Sequence, residues 1–206
     1  MQIKVLILLF FLVLVLSTGC DSIPEETTIN ETTVTQTTSS NSSVSLEELK
    51  TQLLKTGSVF VPDVKMASAL TGYSVATPSF IPEGFMLIGP PGAGGVFRVF
   101  KLGDPAQIEG VKYPYSVEQE YIQGTDYFTK GPRFHISQSR NRISGAKGEP
   151  VKIGKYEGEK AILSNQDPPR LVLTWNDGIM YYVMSGLLLN PLNEDTLIKI
   201  AASMKY

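Results

Sequence analysis

The chain has 206 residues, 42% hydrophobic and 18% charged, with a formal net charge of -2 at pH 7 and a single cysteine. That length suits one domain plus a tether, and the lone cysteine excludes a disulfide within the chain, so the fold rests on burial alone. A weakly acidic chain without a basic cluster has no electrostatic basis for binding nucleic acid, nor a Lys/Arg-rich amphipathic helix to grip anionic lipid.

The first element is a leader. Lys4 is the only charge before Asp21, residues 5–16 are an unbroken apolar run, and the small residues Ser17, Thr18 and Gly19 lead to Cys20. A basic start, a short apolar stretch and a small-residue cleavage zone describe a secretory signal peptide over residues 1–19. The run is too short for an ordinary spanning helix, which takes about 20 apolar residues. Leu16-Ser17-Thr18-Gly19-Cys20 resembles the lipobox of prokaryotic lipoproteins, with Ser17 where an aliphatic residue is usual. The resemblance implies cleavage before Cys20 and lipidation of that cysteine by acyl chains such as palmitate. The chain is then extracytoplasmic, anchored to the outer face of the cell membrane; an uncleaved signal anchor is the other reading.

Residues 20–44 form the tether. Residues 21–45 are more than half Ser and Thr, with no basic or aromatic residue. Such a segment cannot bury enough apolar surface to offset its ordering entropy. As a flexible coil it spans about 25–30 Å. Asn30-Glu31-Thr32 and Asn41-Ser42-Ser43 fit the N-glycosylation pattern, which arises readily by chance in such a tract.

The single folded domain covers residues 45–206. Ser45 and Glu48 form a capping box, and Leu46, Leu49, Leu53 and Leu54 recur at helical spacing up to Gly57. Asp63 starts a second short helix that carries Val64, Ala67 and Leu70 and stops at Gly72. Short apolar or alternating runs follow at 85–88, 96–102, 117–122, 134–139, 151–153, 160–163, 171–175 and 179–185. Their turn spacing predicts an antiparallel sheet. Asp177-Gly178 predicts a two-residue hairpin turn flanked by a paired Asn176 and Ile179. Asn193 caps a closing helix, with Glu194 and Asp195 in its first turn, Leu192 and Leu197 as a staple, and Leu197, Ile200, Ala201 and Met204 as its apolar stripe. Lys199 and Lys205 are expected to face water. The stripe needs a partner and the sheet is the large one available, which predicts an α+β domain: a curved antiparallel sheet with N-terminal helices and a C-terminal helix packed on one face.

Thr77-Pro78-Ser79-Phe80-Ile81-Pro82-Glu83-Gly84-Phe85, Leu173-Thr174-Trp175, Tyr182-Val183-Met184-Ser185-Gly186 and the helix 197–204 together resemble an extracytoplasmic domain-of-unknown-function family of prokaryotic lipoproteins and anti-sigma-factor-like proteins. The resemblance spans about residues 59–206 and implies a half-barrel of the lipoprotein-carrier type. It supplies no catalytic residue.

The candidate sites have plain structural readings. His135, the only histidine, alternates with Phe134 and Ile136 and belongs on a solvated polar face; alone it makes a weak metal site and a poor base. Gly89-Pro90-Pro91-Gly92-Ala93-Gly94-Gly95 lacks the Lys-Ser/Thr ending of a phosphate loop and reads as a mobile connector that can flank a binding mouth. The acidic pairs Glu25-Glu26, Glu47-Glu48 and Glu194-Asp195 belong to the tether and two helix starts. Lys147, Glu149, Lys152, Lys155, Glu157, Glu159 and Lys160 mix signs as a solvated edge does. Tyr113, Tyr115, Tyr121, Tyr127 and Phe128 mark residues 103–133 as a long loop over one side of the sheet, packing as core or lid, or contacting an apolar ligand.

No nucleophile–base pair, metal set or cofactor motif assembles from these residues. The expected function is a non-catalytic, membrane-anchored module that binds or senses a hydrophobic or peptidic ligand; a lipid-sized apolar cavity under the closing helix would favour it. An envelope protein-interaction module without a small-molecule ligand is the alternative.

Overall fold

The computed structural model describes residues 44–102, 114–125, 127–128, 130–143, 145 and 147–206. The leader, Cys20, the tether with Asn30 and Asn41, and Tyr113 lie outside the described residues. The elements in chain order are α1 (Leu46–Thr56), β1 (Ser58–Val61), α2 (Val64–Thr71), β2 (Thr77–Pro78), β3 (Phe85–Leu87), β4 (Phe97–Lys101), β5 (Tyr115–Gln123), β6 (Arg133–Ser139), β7 (Glu149–Ile153), β8 (Tyr156–Leu163), β9 (Arg170–Asn176), β10 (Tyr181–Leu187), α3 (Glu194–Ala202) and β11 (Met204–Lys205).

The helix starts follow from their capping chemistry. The Glu48 amide donates to the Ser45 hydroxyl at 3.2 Å, and the Ser45 amide donates back to the Glu48 carboxylate at 2.8 Å. Asp63 and Asn193 accept from the Met66 and Thr196 amides, each at 2.8 Å, so all three helices satisfy orphan first-turn donors.

Among the described residues the strands form a nine-stranded sheet, curved, open and antiparallel, in the order β1-β4-β5-β6-β10-β9-β8-β7 with β3 also on β5. The sheet and helix layers are as the sequence predicts. β1, between two helices, was not among the expected strands, because its few residues carry too little pattern. β3 and β4 are one interrupted strand: Leu87 pairs with Tyr121 and Phe97 with Gln119, leaving only Glu120 between them on β5. The proline- and glycine-rich segment 88–96 is an excursion from that line, tied down where the Ile88 amide donates to the Glu120 carbonyl and the Val96 amide to the Val61 carbonyl.

α1 and α2 pack on β1, β4 and β5, and α3 packs on β7 and β9, all through one continuous apolar core. α3 reaches the sheet at a glycine. A Cβ on Gly186 would stand 2.6 Å from a Leu197 methyl, so the bare backbone of β10 lets that leucine descend fully. Met204 lies beyond the helix, in β11 paired with β2, and is half-buried instead of completing the helical stripe. Lys205 is exposed as expected. Lys199 is exposed too, but its ammonium stands 3.9 Å over the Phe80 ring.

The core holds a polar clamp. The Gln138 side-chain carbonyl accepts from the Ala76 amide, and the Gln138 and Gln119 amide groups both donate to the Ala76 carbonyl, each at 2.8 Å. Tyr121 donates to Gln119 at 3.1 Å, and Tyr73 to the Gln138 backbone carbonyl at 3.1 Å. The extended segment after α2 is thereby fixed across the neighbouring strands β5 and β6 with its buried polar groups satisfied.

The β9–β10 turn lies one residue later than predicted. Asn176 pairs with Tyr181, the Asp177 amide donates to the Met180 carbonyl at 3.2 Å, and Gly178-Ile179 forms the tip. Asp177 Oδ1 accepts from both the Ile179 and Met180 amides at 2.8 Å, which holds Met180 inside the core. Gly178 takes φ +93°, a conformation suited to glycine. Moving the tip by one residue moves the register by two, so every strand residue keeps its predicted face.

Candidate functional site

His135 is on the outer, polar face as its alternation requires, but it is half-buried instead of solvated. Across the strands it lies between Glu120 and Ser185. Burial holds its pKa below the usual imidazole range, outweighing the nearby Glu118 and Glu120 carboxylates, with Arg170 adding to the effect. Its Nδ1 is 3.4 Å from the Ser185 hydroxyl, which accepts from Arg170 at 2.7 Å. Ser185 is only 5% exposed and lines neither of the clefts below.

The region 103–133 is not one long loop. Tyr115 and Tyr121 belong to β5, and Tyr121 stacks on Phe134 in the core with centroids 4.7 Å apart. Tyr127 and Phe128 lie outside the strand and meet edge to face. Across the β7–β8 hairpin Lys152 stands opposite Glu157 and Glu149 opposite Lys160, and Lys160 forms an ion pair with Glu194 at the start of α3. Among the described residues no group of three His, Cys, Asp or Glu is placed to hold a metal ion, and no helix is long and apolar enough to cross a membrane.

Two clefts remain. One, of about 280 Å³, lies on the outer face beside the 88–96 excursion, lined by Phe60, Ile88, Pro90, Arg98, Glu118 and Tyr127 among others. Arg98 and Glu118 close an ion pair at 3.2 Å across its floor. The excursion therefore does flank a mouth. With Glu120, which also lines the mouth, paired to Arg133, each of its charges already has a partner, which leaves little unsatisfied polarity for a ligand.

The other cleft, of about 410 Å³, opens at the C-terminal end of α3 and not beneath the helix's length. Tyr156, Trp175, Tyr182 and Tyr206 supply its aromatic walls, Ala202 and Met204 its apolar rim, and Asp177 its one carboxylate. Trp175 and Tyr182 are cross-strand partners and stack at 4.8 Å, with planes 11° apart. Tyr206 arrives from β11, which β2 holds in place. The Tyr182 and Tyr206 hydroxyls donate to Asp177 Oδ2 at 3.0 and 2.6 Å. Burial pushes the Asp177 carboxyl up, but the Tyr206 hydroxyl, the Met180 and Ile179 amides and the Tyr182 hydroxyl together hold it below the usual range. Burial and the adjacent Asp177 push the Tyr206 phenol up to about 12. At neutral pH the cleft thus holds one fixed carboxylate among protonated phenols.

The sequence reading singled out none of these residues as a site. The predicted hairpin register sets Trp175 opposite Met180 and so misses the pairing with Tyr182, and the convergence of Tyr156, Asp177 and Tyr206 needs α3 and β11 in place. No family model, curated protein or solved structure matches the chain.

Proposed function

We propose that the chain is an extracytoplasmic lipoprotein, tethered to the outer face of the cell membrane through acyl chains on Cys20, whose domain binds a hydrophobic or peptidic ligand without transforming it. The binding site in this reading is the cleft at the end of α3. The observation that carries it is the convergence of four aromatic side chains and one ionised carboxylate from β8, β9, the β9–β10 turn, β10 and the chain beyond β11. Apolar walls with a few fixed polar groups are the usual composition of a small-ligand site.

The alternative, an envelope protein-interaction module, is favoured by the depth of the stacked pair. Trp175 and Tyr182 are 4% and 1% exposed, so the cleft is shallow while Tyr206 stays in place.

Native mass spectrometry of protein released by detergent from its own host's membranes tests both halves. The expected spectrum carries acyl mass on Cys20 and a non-covalent ligand that Ala202→Phe abolishes. Ala202 is the site to fill, because it is the exposed rim residue whereas Ala201 is core. Cys20→Ala should lack the acyl mass and leave the membrane fraction. A ligand-free wild-type spectrum favours the interaction module, and a membrane-bound, unacylated Cys20→Ala protein favours the signal anchor.

A further inference from the structure

Tyr206 is 60% exposed, yet its hydroxyl makes the shortest contact in the cleft, at 2.6 Å to Asp177 Oδ2. The Tyr182 hydroxyl lies 3.0 Å from the same oxygen and 3.1 Å from the Tyr206 hydroxyl. Three oxygens form a triangle with two phenolic protons between them. When both protons go to Asp177, the Tyr182–Tyr206 contact has none. The carboxylate therefore accepts two phenols at once, one from the core and one from an exposed side chain.

The two phenols differ in how firmly they are held. Tyr182 is buried, stacked on Trp175 and fixed in β10. Tyr206 follows a two-residue strand that pairs only with β2. Asp177 cannot turn away, because its other oxygen accepts the Ile179 and Met180 amides. What the cleft offers a visitor is therefore the place of the Tyr206 ring: an oriented acceptor at the end of an aromatic wall.

We propose that Tyr206 is an internal occupant of a phenol-recognition site, and that the ligand of this cleft presents a phenolic ring whose hydroxyl displaces Tyr206 from Asp177. This rests on the cleft being the recognition site. The ring fits, since about 150 Å³ suffices for benzene and the cleft holds about 410 Å³. A cationic ligand fits less well. Lys205 lines the cleft and Lys155 stands 5.1 Å over Tyr156, so another ammonium meets like charge. A tyrosine side chain within a peptide and a free phenol share the required chemistry.

The test uses the full chain and the emission of Trp175, the only tryptophan. The probes are p-cresol, N-acetyltyrosinamide and toluene, which is the cresol ring without its hydroxyl. Removing the internal competitor by Tyr206→Ala is expected to tighten p-cresol binding tenfold or more, since a competing occupant lowers apparent affinity by the fraction of open sites. In that variant toluene should bind at least tenfold more weakly than p-cresol, and Asp177→Asn should erase the difference. Because Asp177 also shapes its turn, the p-cresol/toluene comparison in Tyr206→Ala decides the matter independently of that second variant. Tighter binding of N-acetyltyrosinamide than of p-cresol supports the proposal with a peptide as source, and the reverse order supports it with a free phenol. Equal binding of p-cresol and toluene overturns the phenol assignment and leaves the cleft a recognition site. Silence from every probe, with a native ligand still lost on Ala202→Phe, overturns it in the same way.

Discussion

Leu197→Ala is expected to lower the unfolding free energy by about 2–5 kcal/mol, a large share of the roughly 5–15 kcal/mol that holds an ordinary domain together. The side chain is 1% exposed and rests on the bare backbone of Gly186 beside Phe134. Its removal leaves a hole that the strand beneath cannot fill, because Gly186 has no side chain to move. The reciprocal change makes the contact specific. A methyl on Gly186 would lie 2.6 and 2.9 Å from the two Leu197 methyl carbons and 3.2 Å from Phe134 Cβ, so Gly186→Ala should be destabilising alone. The double variant should cost less than the sum of the two, since the new methyl occupies the space that leucine vacates. Lys199→Ala, two residues on and on the exposed side, loses only its contact with Phe80, worth about 0.5–1 kcal/mol. Denaturant titrations of the wild type and the four variants check this. Equal losses for Leu197→Ala and Lys199→Ala would contradict the packing of α3.

Gln138→Leu is expected to cost about 2–4 kcal/mol although it makes the core more apolar, because a buried donor left without an acceptor loses its full desolvation term. The substitution strips the Ala76 amide of its only side-chain acceptor and removes one of the two donors to the Ala76 carbonyl. Ala76 and Gln138 are both fully buried, so water cannot substitute. Ser137→Ala, next along β6 but on the opposite face, loses only a part-buried 3.3 Å hydrogen bond to Glu118 and should cost no more than about 1 kcal/mol. Thermal melts of the three proteins decide. A Gln138→Leu protein as stable as wild type would show that the clamp around Ala76 contributes nothing net.

Helices and strand faces were legible because their signals are local. Ser45 with Glu48, Asp63 and Asn193 announce helix starts within a few residues, and Phe134, His135 and Ile136 announce opposite faces by alternation alone. The Gln119–Gln138 clamp was not legible, since a glutamine in a strand reads as an outward residue until something polar is known to lie over it. The same holds for Lys199, whose aromatic partner Phe80 is distant in sequence. The turn was misplaced by one residue because Asp177-Gly178 is a strong pair signal, and only the burial of Met180 and the side-chain acceptor of Asp177 outweigh it. The cleft was hidden for a related reason. Its members come from β8, β9, a turn, β10 and the residue after β11, so no window of the chain contains it.

The cleft as the place of recognition is tested most directly by the indole N–H resonance of Trp175, which is unique because the chain has one tryptophan. Protein released from its own host's membranes is compared with the same protein unfolded in denaturant and refolded free of small molecules. A ligand held against the cleft wall should displace the resonance in the first preparation and not in the second, and Ala202→Phe should show the undisplaced position from either source. Wild-type resonances that coincide in the two preparations, while mass spectrometry finds a ligand bound, would place recognition elsewhere and contradict the account.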